Sequence, residues 1–202
     1  MWIEHVPDAV AHGRLRLLYD RVKGPDGHVD NIMRAHSLRP HSMEGHMALY
    51  KSVLHHSGNQ LPKWFLETLG VYTSLLNRCE YCVEHHFAGL QRLLNDDAQA
   101  FTIRVALEHN ALESFAEPGL AAALGYARQL TVGVNNPVAL RAAVEDMRSQ
   151  GLDDGRILEV NQVVAYFNYA NRTVLGLGVT TAGDTLGLSP GSADAPDDWA
   201  HR

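Results

Sequence analysis

The sequence predicts an all-α fold. Apolar residues recur at helical spacing along most of the chain, prolines stand where helices would open, and no segment alternates polar and apolar residues as a half-buried strand does. With 202 residues, 46% of them apolar and 20% charged, the chain is long and apolar enough to bury one compact core.

The elements follow in order. Leu15, Leu18, Tyr19 and Val22 mark one helical face behind a cap at Asp8. Pro40 opens a helix whose stripe runs Met43, Met47, Tyr50 and Leu54 and which stops near Gly58. The next runs from Pro62 to about Leu76 and is apolar nearly all round, which predicts a central position and makes Glu67 its odd member. Asn77 reads as the N-cap of a following helix, with Glu80 completing a capping-box-like pair before Val83, Phe87, Leu90 and Leu94. Pro118 and Asn136-Pro137 mark two more starts. Gly151, Asp153 and Asp154 precede a last long helix carrying Ile157, Val160, Val164 and Phe167. Beyond Thr181 the composition shifts to Gly, Ser, Pro and Asp, so the expected organisation is one helical domain over residues 1–181 and a loose tail over 182–202.

Charge and composition exclude several function classes. Seventeen basic against 23 acidic residues leave a net charge of −6, the wrong sign for a nucleic-acid surface. No apolar run approaches the roughly 20 residues of a membrane span, and the start lacks a basic-then-apolar leader, so a soluble cytoplasmic protein is expected. The two cysteines, Cys79 and Cys82, stand too close in sequence to staple a fold.

Their setting is the informative one. Cys79, Cys82 and His86 form a C-x-x-C-x-x-x-H pattern that, at about 100° per residue, falls on one narrow helical stripe, while His85 points elsewhere. A helix N-terminus and a neighbouring imidazole both favour the thiolate, the form that attacks a peroxide or a disulfide. Glu67, on the preceding apolar helix, would be costly to bury alone. His86 is its expected partner, and a carboxylate on one ring nitrogen would turn the other toward a thiol.

These residues carry a resemblance. The run from about residue 30 to 179 resembles the alkylhydroperoxidase D-like branch of the carboxymuconolactone decarboxylase superfamily, in particular its longer peroxidase-related proteins. The likeness rests on Glu67 ahead of Cys79-x-x-Cys82-x-x-x-His86, on Glu80-Tyr81-Cys82 within the motif, on His36-Ser37-Leu38-Arg39-Pro40 upstream and on the run Ala165-Tyr166-Phe167-Asn168-Tyr169-Ala170-Asn171-Arg172 downstream. It implies an all-α helical bundle assembled as a homo-oligomer, and a cofactor-independent enzyme reducing a small hydroperoxide or disulfide. By the same resemblance Cys82 attacks, Cys79 resolves, His86 moves the proton and Glu67 joins the relay, with electrons from a thiol reductant or, as in some relatives, a lipoyl-type adaptor. Some members carry a histidine just before the second cysteine, where this chain has Tyr81. The decarboxylase branch lacks the cysteine pair, so lactone chemistry is disfavoured here.

Two other readings compete. The disulfide could switch assembly or partner binding without turnover, as in a redox-responsive adaptor. A structural zinc site could use Cys79, Cys82 and His86, with a fourth ligand from the His41/His46 pair. The wider histidine-rich stretch, His36, His41, His46, His55 and His56, reads as ordinary surface and partly buried side chains. Tyr166, Phe167, Tyr169 and Asn171 read as core and subunit packing, and Arg172 as the partner of a carboxylate.

Overall fold

The computed structural model describes residues 1–190 and 199, which form nine α-helices and no strand. They are α1 (Gly13–Val22), α2 (Asn31–Ala35), α3 (Pro40–Tyr50), α4 (Lys63–Leu76), α5 (Glu80–Leu94), α6 (Asp97–Glu108), α7 (Pro118–Val132), α8 (Pro137–Ser149) and α9 (Asp154–Leu177). Local chemistry sets many of the boundaries. Pro40, Pro118 and Pro137 each occupy a first turn, where the missing N–H costs nothing. Asp96, Asn136 and Asp153 cap α6, α8 and α9 by accepting from Gln99 N (3.0 Å), Ala139 N (3.1 Å) and Arg156 N (2.9 Å). Near the N-terminus Asp8 opens only a short 3-10 turn, and α1 begins at Gly13 behind His12. The helix from Pro40 continues past α3 as a π-helical turn over Lys51–His55 and ends three residues before Gly58.

The predicted central helix is α4, in which every residue from Phe65 to Ser74 is buried. It packs on α5, α7 and α9. Gly70 permits the α9 contact: a β-carbon there would lie 2.2 Å from the Phe167 ring. No helix among the described residues is long and apolar enough to cross a membrane.

The junction of α4 and α5 departs from the expected capping box. Asn77 remains in helical conformation as the C-cap of α4, Arg78 takes a left-handed conformation (φ 56°), and Cys79 is the residue that caps α5. Reversing direction within so short a connection requires the left-handed residue, and it turns Asn77 away from α5. The Asn77 amide donates instead to Asn168 (3.1 Å) and Asn171 (2.9 Å) of α9.

After Gly178 ends α9 in left-handed conformation, residues 179–189 cross back over α2 and α5. Asp184 accepts from Tyr81 Oη (2.8 Å) and the Asn31 amide (3.0 Å) and meets His28 Nε2 at 2.8 Å. Arg92 donates to the carbonyls of Leu186 (3.1 Å) and Gly187 (3.0 Å). Gly187 has φ 77° and sits so close to Ala88 that a β-carbon would fall 2.8 Å from its backbone. Trp199 is buried, with the Arg21 guanidinium 3.8 Å from its ring centre. The remainder of the expected tail, 191–198 and 200–202, lies outside the described residues.

Candidate active site

Four side chains expected at the site come from two adjoining helices. Glu67 projects from α4, Cys79 caps α5, Cys82 lies in its first turn, and His86 stands one turn further on. Both cysteines are free and buried, and their sulfurs lie 3.1 Å apart. Glu67 is only 4% exposed, and its Oε2 lies 2.7 Å from His86 Nδ1. That bond compensates the buried carboxylate and orients the imidazole. Phe167 packs edge-on against the His86 ring, with centroids 4.5 Å apart at 80°.

The stripe expected to join Cys79, Cys82 and His86 is thus two pairs, sulfur with sulfur and carboxylate with imidazole. No hydrogen bond connects His86 to either thiol among the described residues. The pairs meet through space instead. Cys82, His86, Glu67, Tyr50 and Tyr166 line one cavity, with Arg92 and the strap residues Leu188 and Ser189 also in its wall. Cys79 lines a separate depression with Arg78, Leu175, Val179 and Thr181.

The thiols differ electrostatically in the order opposite to the expectation. The close contact between the two sulfurs, and the Cys82 backbone amide, lower the pKa of Cys79 against the opposing effect of burial. The same contact raises Cys82 well above an ordinary thiol, and burial adds to it, while the Asn171 amide acts the other way. Of the pair, Cys79 at the start of α5 is therefore the more acidic thiol. Asn171 is fully buried, accepting from Asn77 and donating to Ser74 Oγ at 3.1 Å. Its type and spacing in the sequence point only to packing; the way α9 lies across the CxxC turn is what brings it beside a thiol.

A second polar group was not legible at all. Asp184, its side chain fully covered, lies between His28, His85 (3.3 Å) and Tyr81, whose ring lies tilted against that of His85 with centroids 4.5 Å apart. Burial raises its pKa, but bonds from His85, the Asn31 amide, His28 and Tyr81 outweigh that and hold it below an ordinary carboxylate. Tyr81, where some relatives of the resembled family have histidine, is thus a donor to Asp184. Asp30, also in the cavity wall, is pushed up to about 6 by burial and by the charge of Asp184, against the opposing effect of His85.

The remaining expectations separate. Among the described residues no three His, Cys, Asp or Glu side chains converge in a way that could hold a metal ion. His46 is buried against His36, Tyr166 and Tyr169, and His41 is exposed. His55 packs on Tyr50 (4.8 Å), and His56 accepts from the Gly58 amide (3.0 Å). Among the described residues Arg172 donates to Asn168, through its carbonyl (2.9 Å) and side chain (2.6 Å), and pairs with no carboxylate.

No family model matches the chain, and no curated protein does. Solved structures do. An uncharacterised peroxidase-related protein from Ralstonia eutropha JMP134, described as an alkylhydroperoxidase AhpD core, is 23% identical over 89% of this chain and 90% of that one, with a TM-score of 0.72. An uncharacterised peroxidase-related protein from Silicibacter sp. TM1040 is 24% identical over 76% and 77% of the two chains, with a TM-score of 0.66. A protein of unknown function from Agrobacterium tumefaciens, suggested to be an antioxidant defence protein AhpD, is 21% identical over 72% and 93%, with a TM-score of 0.61. The helical bundle is accordingly the alkylhydroperoxidase D-like fold of peroxidase-related proteins.

Proposed function

We propose that the protein is a thiol-dependent peroxidase in which Cys82 attacks a small hydroperoxide and Cys79 resolves the product. The observation that carries the reading is that Cys82 shares its cavity with the Glu67–His86 pair while its sulfur lies 3.1 Å from a second free thiol. Peroxide-related descriptions of proteins with the same fold agree with it.

Chemically, Cys82 passes its proton to His86, and Glu67 stabilises the imidazolium that results. The thiolate takes the terminal oxygen of the hydroperoxide, the O–O bond breaks, and an alcohol leaves after protonation. Cys82 is then a sulfenic acid. Cys79, already the more acidic thiol, attacks that sulfur and expels water, leaving a disulfide. An external dithiol returns two electrons by exchange.

The electrostatics favour a second reading of the same pair. Cys79 is the more acidic thiol and lines its own depression, which suits attack on an external disulfide from that side. Single-cysteine variants distinguish the two. As a peroxidase, Cys82→Ser consumes no hydroperoxide, and Cys79→Ser completes at most one turnover with sulfenic acid trapped by dimedone. Wild-type rates in both variants would remove the peroxidase reading, and stoichiometric oxidation without turnover under several reductants would indicate an adaptor.

The reading extends to a soluble homo-oligomer. Leu158 and Tyr169, three turns apart on α9, are both exposed on one face and would gain cover from a second copy. A monomer by light scattering at micromolar concentration would count against it.

A further inference from the structure

The peroxide step balances in protons but leaves open which group delivers one to the departing oxygen. As the O–O bond breaks, the departing oxygen takes the bonding pair, and an alkoxide leaves slowly unless a proton reaches it as the bond breaks. His86 receives the thiol proton in the same event, with its Nδ1 already held by Glu67.

The cavity contains a second carboxyl that nothing else employs. Asp30 precedes α2 at the N-cap position, yet its side chain makes no capping hydrogen bond. Nor does it form a hydrogen bond or ion pair with any described residue, although the cavity that it lines is the one that Cys82 lines. We propose that Asp30 is a further catalytic residue, the general acid that gives its carboxyl proton to the departing alkoxide while the Cys82 sulfur takes the other oxygen. The inference rests on the peroxidase reading.

Bookkeeping of the step is closed. The S–O bond forms and the O–O bond breaks; Cys82 is oxidised to the sulfenic acid as the hydroperoxide is reduced to the alcohol. Asp30 is left ionised and His86 protonated, and transfer of one proton through the cavity resets both.

Burial, more than the surrounding charges, explains why a carboxyl here would hold a proton near neutrality. Asp184, from the strap after α9, faces it with a like charge, and so does Asp26 from the turn before α2. His85 of α5 and His28 act in the opposite sense. Asp184 itself is committed to Tyr81, His28, His85 and the Asn31 amide, so it stays ionised and can only repel. Elsewhere in the cavity wall stand Glu67 with His86, His46 and His55, Lys63, Arg92, and the hydroxyls of Tyr50 and Tyr166.

Asp30→Asn tests the assignment in the oxidative half-reaction, measured as single-turnover loss of thiol under cumene hydroperoxide and, separately, peracetic acid. Cumene hydroperoxide expels an alkoxide and needs the acid, whereas peracetic acid expels acetate, which leaves without one. At pH 5 the variant should be about a hundredfold slower with the hydroperoxide and within about twofold of wild type with the peracid. With the hydroperoxide, the ratio of wild-type to variant rates should fall about tenfold per pH unit above about pH 6, as Asp30 loses its proton. Equal losses on both oxidants, no loss on the hydroperoxide, or a ratio independent of pH would overturn the proposal. A wild-type protein that forms its disulfide with diamide but not with either peroxide would instead overturn the peroxidase reading, and this inference with it.

Discussion

Replacing Glu67 with Gln tests the relay most directly. The side chain keeps its shape and its carbonyl can still accept from His86 Nδ1, so the change removes charge and little else. At rest the loss is the difference between a charge-assisted and a neutral hydrogen bond, about 1 kcal/mol. When His86 takes the Cys82 proton the loss grows, because an imidazolium then stands against a neutral amide. At about 4 Å between charge centres and an effective dielectric of about 20, the missing attraction is about 4 kcal/mol as an upper bound. Solvent at the partly exposed imidazole edge, 16% accessible against 5% for the Glu67 side chain, reduces it. About 2–3 kcal/mol is the working figure, a loss of roughly 30- to 150-fold in rate.

The assay is stopped-flow oxidation of the reduced protein by a stoichiometric hydroperoxide, followed in parallel with thermal unfolding. The rate should fall while the midpoint changes little, because removing a buried charge relieves about as much desolvation as it loses in pairing. An oxidation rate within about twofold of wild type, well inside the 1.4 kcal/mol that a tenfold effect represents, would refute the assignment of Glu67 as the orienting carboxylate.

Three further outcomes follow from the same geometry. Ultraviolet titration should find the first thiolate on Cys79; Cys82→Ala should raise the Cys79 pKa by removing the neighbouring thiol, and Cys79→Ala should lower that of Cys82 while burial keeps it above an ordinary thiol. The opposite order would make Cys82 the more acidic thiol and refute this reading of the pair. Gly70→Ala forces a methyl into the Phe167 ring and should cost about 1–3 kcal/mol, lowering the unfolding midpoint by about 2–12 °C, with disturbance of the His86 ring that Phe167 packs on. An unchanged midpoint would mean that α4 and α9 are less closely seated. Asp184→Ala strands buried donors on Tyr81, Asn31 and His28 and should cost about 3 kcal/mol at pH 7. Because folding depresses the Asp184 pKa, its contribution is complete above the ordinary carboxylate range and fades as pH falls through the folded value, so the cost should shrink below about pH 4. A cost that stays constant down to pH 3 would contradict the ionised strap contact.

What could be read from the sequence was whatever a helix repeats locally. Leu66, Leu69 and Val71 surround Glu67 with apolar neighbours, so α4 had to be central and its carboxylate had to find a partner; His86, on the next helix, is that partner. Local spacing also placed two sulfurs within reach of each other, since residues three apart in a first helical turn cannot avoid being neighbours. It failed at Asn77, where a good capping residue lost to the geometry of the turn, because a left-handed Arg78 was needed to reverse the chain and left Cys79 as the cap. That shift has a chemical consequence: it puts Cys79 itself at the start of α5, where the Cys82 thiol and backbone amide both lower its pKa.

The polar surroundings of the pair were out of reach for a different reason. Asn171 lies 92 residues after Cys79, and Asp184 lies 103 after Tyr81, so no periodicity within one helix could join them. Neither residue type is unusual where it stands in the sequence, and each becomes informative only through what it is buried against. Asp184 makes the point most fully. The Gly-rich run that reads as loose is what lets residues 183–187 turn tightly, with Gly183 and Gly187 both at positive φ, and bring a carboxylate onto α5. The flexibility legible in the composition is therefore used to build a fixed contact, and the charge it delivers is the one that faces Asp30 across the cavity wall.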